Sequence, residues 1–152
     1  MIPNTDPQDT GAILDNIPEE LRRRPQWVVH KDKIPHIAGG VGRASSTDLT
    51  TWRTFEEAVT ALETGRYDGI GFVFSSGDPY AGIDLDSCRN PETGELKEWA
   101  AKIVDAFGSY AEVSQSGTGV HIIVKGKAPN KKRGKVEAYS SERFFAMTGQ
   151  VL

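Results

Sequence analysis

Apolar residues recur along this chain with two different periods, and the change from one to the other marks its elements. In "TFEEAVTALETG", Phe55, Ala58, Val59 and Leu62 fall three or four positions apart, the spacing that gathers side chains on one helix face. Thr54 and Glu57 have the spacing of a capping box, and Gly65 supplies a C-terminal stop. "NPETGELKEWAAKIVDAFG" predicts a turn and a second amphipathic helix, with Leu96, Trp99, Ala100, Ile103 and Phe107 on one face. A shorter helix is predicted in "IPEELRRRPQ", ended by Pro25.

Elsewhere the pattern is that of strands. "QWVVH" is a first strand, and "GIGFVF" and "YAGIDLD", separated by the turn-forming "SSGDP", are expected to be adjacent strands. "YAEVS", "GVHIIVKG", "KVEAY" and "RFFAMTG" then read as four strands joined by tight turns. Helix, strand, helix, two strands, helix and four strands predict an α+β domain with a largely antiparallel sheet. "TDPQDTGAILDN" reads as part of a flexible lead-in over residues 1–16, leaving residues 17–152 as the domain. The Gly, Ser and Pro content from Lys31 to Thr50 marks a long loop, expected to be functional or mobile, with Lys33 and Arg43 available to phosphate or template.

Composition narrows the class. At 152 residues, 38% hydrophobic and 26% charged, the chain can bury one core and is not a disordered protein. No run of eighteen apolar residues occurs and the N-terminus is polar and acidic, so a soluble cytoplasmic protein without a membrane partner is expected. The lone Cys88 excludes an internal disulfide and a Cys-based zinc cluster, and is expected as a buried or half-buried free thiol. Net charge is −3, but unevenly spread: residues 1–20 hold five acids and no base. Lys125, Lys127, Lys131, Lys132, Arg133 and Lys135 follow one another without an acid, which fits either a phosphate-binding footprint or a solvated loop.

Three segments hold candidate chemistry. In "YAGIDLDSC" the strand period turns Ile83 and Leu85 toward a helix layer and Asp84 and Asp86 to the other face, their Cα atoms about 6–7 Å apart. Two carboxylates so placed repel unless a cation lies between them, and Mg²⁺ or Mn²⁺ suits such hard oxygen donors; a solvent-facing strand end is the alternative. In "SQSGTGVHIIV", Ser114, Ser116, Gly117, Thr118 and Gly119 form a turn whose backbone N–H groups can approach an anion, with His121 next to it. An ordinary hairpin with a satisfied histidine fits the same residues. In "KVEAYSSERFFAMTG", Glu137 could complete a carboxylate trio and Arg143 could serve a phosphate, or the two could form a cross-strand ion pair. Three acids, a serine-glycine turn with a histidine, and flanking bases on consecutive strands together match what nucleotidyl transfer requires.

"GIDLD", "SQSGTGVHI" and "VEAYSSERFFAMTG", in this order, resemble the three motifs of the archaeo-eukaryotic primase superfamily, in particular the primase-polymerase (prim-pol) domains of phages, plasmids and integrated elements. "IPEELRRRPQWVVHKDKIP", "TWRTFEEA" and "YDGIGFVF" look like the segments preceding the first motif, so the likeness covers roughly residues 17 to 149. The resemblance implies an RRM-like antiparallel sheet beside a smaller N-terminal αβ unit. It implies DNA primase/DNA polymerase activity by two-metal nucleotidyl transfer, with Mg²⁺ or Mn²⁺ on Asp84, Asp86 and Glu137. It also implies an NTP or dNTP on His121, Ser114, Ser116, Gly117 and Gly119, a weaker assignment of Arg143 to the nucleotide, and a DNA template and primer on the basic segment. Relatives often continue into helical segments and a helicase domain, whereas this sequence stops at "GQVL", as an excised core or a minimal relative would. Two rivals remain open: a nucleotide- or nucleic-acid-binding module of the same fold with little catalysis, and a metal-dependent nuclease.

Overall fold

The computed structural model describes residues 7–152; residues 1–6, the start of the expected lead-in, lie outside the described residues. The rest of that lead-in contains a helix, α1 (Pro7–Leu14), and Leu14 is buried with Ile17 and Leu21 in the main core. A single turn, α2 (Glu19–Arg22), ends ahead of Pro25. Next come β1 (Trp27–Lys31), β2 (Ile34–His36), α3 (Phe55–Leu62), β3 (Gly69–Phe74), β4 (Tyr80–Leu85) and α4 (Glu98–Phe107). The chain closes with β5 (Ala111–Val113), β6 (Val120–Lys125), β7 (Lys131–Arg133), β8 (Val136–Tyr139) and β9 (Arg143–Met147). The capping box on α3 forms: Thr54 accepts from the Glu57 N–H, and the Glu57 carboxylate accepts from the Thr54 N–H.

These strands make two antiparallel sheets, one ordered β2-β1-β3-β9 and the other β5-β6-β4-β8-β7. That corrects three expectations. First, β3 and β4 are consecutive but not paired, because the "SSGDP" connection carries the chain from one sheet into the other. Second, β9 does not pair with β8; it crosses back to lie beside β3, with Ile70 opposite Met147. Third, the stretch from Lys31 to Thr50 is not one loop, since Asp32 and Lys33 turn at positive φ into β2, and a 3-10 turn spans Leu49–Thr51. The remainder of that stretch is a cover: Ala44, with Ile37 and Trp52, packs on the Val28, Val73 and Phe144 face of the first sheet. Short β7, exposed throughout, escapes a hydrophobic reading because none of its three residues is apolar.

Along β4 the side chains alternate as the sequence predicts. Ile83 and Leu85 join Ile122, Val120 and Ala100 under α4, while Tyr80 and Gly82 face the first sheet. A Cβ on Gly82 would stand 2.4 Å from Phe145 and 2.6 Å from Phe74, so glycine here lets the two sheets close together. Phe72, Phe74, Tyr80, Ile123 and Phe145 fill the space between the sheets, with edge-on ring contacts at 5.1–6.2 Å. Cys88 is a buried free thiol. No described helix is long and apolar enough to cross a membrane.

Candidate active site

Strand register brings the predicted residues into line. Across the five-stranded sheet, Glu112, His121, Asp84, Glu137 and Lys132 stand directly opposite one another, one from each strand. Direct neighbours in such a row have Cβ atoms about 4.5–5.5 Å apart, so Asp84 has Glu137 on one side and His121 on the other. The apolar packing between the sheets ends at this row, and beyond it a cleft of about 720 Å³ opens past the edge strand β9. Asp84, Asp86, Ser114, Ser116, Gly119 and His121 line one side of it. Glu137, Gly117 and Arg143 are not among its lining residues.

His121 ties the row to the other sheet. Its Nε2 lies 3.3 Å from Asp84 Oδ1, its Nδ1 lies 2.9 Å from the outward-facing carbonyl of Ala146 on β9, and its ring stacks on Phe145 at 4.4 Å. Asp86 sits just past the end of β4, where its N–H donates to the Lys135 carbonyl at 2.8 Å, and its side chain is exposed. In the turn, hydroxyls form a chain, Ser114 to Ser116 at 3.1 Å and Ser116 to Thr118 at 2.8 Å, and Ser114 Oγ accepts from the Gly119 N–H. Gly117 adopts φ +81°, and its carbonyl accepts from Arg89 Nη1 at 2.8 Å. Gly119 has no room for a side chain: a Cβ would lie 2.7 Å from the Leu85 carbonyl oxygen.

The second side of the cleft comes from the first sheet, and sequence reasoning missed most of it. His30, Asp32, Lys33, Asp68 and Phe144 line it, of which only Lys33 was singled out in advance. Burial pushes the His30 imidazole below its usual range, opposed in part by the charge of Asp68. Gln115 bridges the two sides, donating to the Asp68 carbonyl at 3.2 Å. The Tyr139 phenol is driven far above its ordinary range by burial and by the adjoining Glu137 carboxylate.

Among the described residues no three Asp, Glu, His or Cys side chains are gathered closely enough to enclose a metal ion. Asp84 and Glu137 are register partners and Asp86 lies two residues on at the cleft, and all three offer oxygen, the donor chemistry that suits hard divalent cations. Arg143 stands on the other sheet, its guanidinium 5.7 Å over the Tyr139 ring, so it is no cross-strand partner of Glu137. The basic segment divides. Lys127 is locked into the protein by Asp78 at 2.9 Å and the Ser75 carbonyl at 2.6 Å, and Lys125 lies 3.4 Å from Glu20. Lys131, Lys132, Arg133 and Lys135 are exposed on and beside the edge strand β7.

Fold and cleft define an α+β protein whose two antiparallel sheets meet at a site lined by carboxylates, hydroxyls and two histidines. No family model matches the chain. Its sequence is 36% identical over 143 residues to the DNA Primase-polymerase of Nitratiruptor phage NrS-1, an alignment that covers 86% of this chain. The chain spans 20% of the length of that relative. Over the aligned region it is thus related to a phage-type primase-polymerase, in agreement with the resemblance carried by its three motifs.

Proposed function

We propose that this chain is the catalytic core of a DNA primase-polymerase, joining nucleotides to a primer on a DNA template during replication of a phage-type element. The observation that carries the reading is the convergence of Asp84, Asp86, His121 and the Ser114–Gly119 turn on one cleft. In this reading the five-stranded sheet backed by α4 is the RRM-like unit. The sheet of β1, β2, β3 and β9 is the smaller αβ partner.

Asp84, Asp86 and Glu137 would hold Mg²⁺ or Mn²⁺. When bound, the ion supplies charge neutralisation to the attacking and leaving oxygens of an in-line displacement. The Ala146 carbonyl at Nδ1 can only accept, so Nδ1 carries a proton, and His121 Nε2, 3.3 Å from Asp84, would donate to a phosphate oxygen in the doubly protonated ring. The Ala146 carbonyl and the stacked Phe145 keep the ring aimed. Ser114 and Ser116, already bonded in a hydroxyl chain, would turn toward the β- and γ-phosphates, positioning them rather than reacting. Lys131, Lys132, Arg133 and Lys135 track the DNA backbone without reading sequence. A helicase domain or partner is a further expectation.

Calorimetric titration with Mn²⁺ and a dNTP, on wild type and on Asp84→Ala/Asp86→Ala, tests this. Metal-dependent nucleotide binding and primer extension are expected in wild type and lost in the double variant at unchanged melting temperature. Nucleotide binding that survives the double substitution sinks the site assignment.

A further inference from the structure

His30 is the fourth residue of β1 and only 3% exposed, yet its Nε2 has no hydrogen-bond partner. Burying a ring nitrogen unpaired is destabilising, a penalty that a leucine or phenylalanine filling the same space would avoid. Strand alternation places His30 with Val28, away from the Trp27 and Val29 face that builds the main core.

The sheet beneath His30 is cut back to receive it. Its register partner is Gly69, where a Cβ would lie 2.7 Å from His30 Nε2. Two residues on, a Cβ at Gly71 would lie 2.6 Å from the Phe144 ring. The two glycines of "GIGF" therefore floor a shelf carrying two flat rings, with centroids 6.0 Å apart, and both rings line the cleft. Gln115 reaches over the same glycine, its Oε1 3.1 Å from that Cβ position, and its exposed side chain lines the cleft beside His30.

Burial favours the uncharged imidazole, whose Nε2 offers a donor or an acceptor, according to the tautomer, rather than a charge. An uncharged group beside an aromatic ring suits the nucleoside part of a nucleotide better than its phosphates, which the serine-glycine turn and His121 can serve. We propose that His30 contacts the nucleoside moiety of the bound nucleotide, its Nε2 hydrogen-bonding a sugar hydroxyl or a polar atom on the base edge. The assignment rests on the nucleotide-binding reading above and adds a substrate contact from the opposite side of the cleft.

Two ligands separate the parts: a dNTP and inorganic tripolyphosphate, each titrated with Mn²⁺ into wild type, His30→Leu and His30→Gln. His30→Leu is expected to weaken dNTP binding about 10-fold, the value of one hydrogen bond, and to leave tripolyphosphate binding unchanged. His30→Gln, which keeps a polar group, recovers part of the loss. A dideoxynucleotide indifferent to His30→Leu assigns the contact to the 3′-hydroxyl; one that loses as much as the dNTP assigns it to the base. Equal dNTP affinity in wild type and His30→Leu overturns the contact alone, whereas wild type that binds neither ligand overturns the nucleotide-binding reading itself. Should His30→Leu fail to fold, ¹⁵N NMR of the wild-type histidines decides: His30 ring signals must move with dNTP and not with tripolyphosphate. Signals that stay still with dNTP refute the contact.

Discussion

Replacing Lys127 by alanine distinguishes a structural lysine from a DNA-binding one. Sequence alone groups it with five other bases, but in the structure its ammonium donates to Asp78 Oδ1 at 2.9 Å and to the Ser75 and Ser140 carbonyls at 2.6 and 2.5 Å. The Asp78 side chain is 1% exposed and also accepts from Gln26 Nε2 and from the N–H groups of Ser75 and Tyr80. Breaking a buried pair by removing one partner costs about 3–5 kcal/mol. Here the Lys127 side chain is 32% exposed and Asp78 keeps three neutral donors, so about 2–3 kcal/mol is the expected loss. For a chain of this size that lowers Tm by about 5–10 °C. Lys132→Ala, on exposed β7, should leave Tm nearly unchanged and reduce the salt slope of DNA binding by about 0.9. Circular dichroism melts and binding measured across salt concentrations read the two effects separately. Lys127→Ala that melts with wild type and flattens the salt slope as Lys132→Ala does would refute the structural role.

Further outcomes follow from other contacts. Gly119→Ala drives a Cβ against the Leu85 carbonyl, so the serine turn must shift; nucleotide affinity measured calorimetrically should fall at least 10-fold, with a modest loss of Tm. Glu112 is fully buried and accepts from the Tyr110 hydroxyl, the Thr148 N–H and hydroxyl, and the Gly149 N–H; Glu112→Gln turns an amide NH₂ on these donors and should cost about 2–3 kcal/mol in urea unfolding. His30 titrates lower in the folded than in the unfolded chain, so below about pH 6.5 the unfolded state binds the extra proton and stability declines as pH falls toward 5. Tm measured against pH should show this decline in wild type and less of it in His30→Leu.

The parts of the site legible in the sequence are those fixed by local spacing. Alternation in "GIDLD" was enough to put Ile83 and Leu85 under a helix and Asp84 on the opposite face, and the capping box located the start of α3. Sheet membership was not legible, because a turn such as "SSGDP" has the same composition whether it folds a hairpin or carries the chain between layers. The Lys127 contact was not legible for a related reason: a run of like charges says nothing about the buried Asp78 some fifty residues upstream. His30 left one faint trace, since the two glycines of "GIGF" that make room for its ring and for Phe144 alternate along a strand, where glycine weakens packing without a reason.

The return of β9 to the first sheet has a consequence for how the molecule acquires its shape. β3 pairs early with β1, but its second edge is covered only when Ile70 and Phe72 meet Met147 and Phe145, after the whole five-stranded sheet has been passed along the chain. Loop closure on that scale is slow to pay back, so the N-terminal sheet keeps an open, aggregation-exposed edge during synthesis until β9 emerges. The same strand carries the Ala146 carbonyl that aims His121, so closing that edge and aligning the candidate site are one folding event. Cutting the chain ahead of Arg143 would leave the first sheet one strand short and His121 without the carbonyl and the ring that hold it.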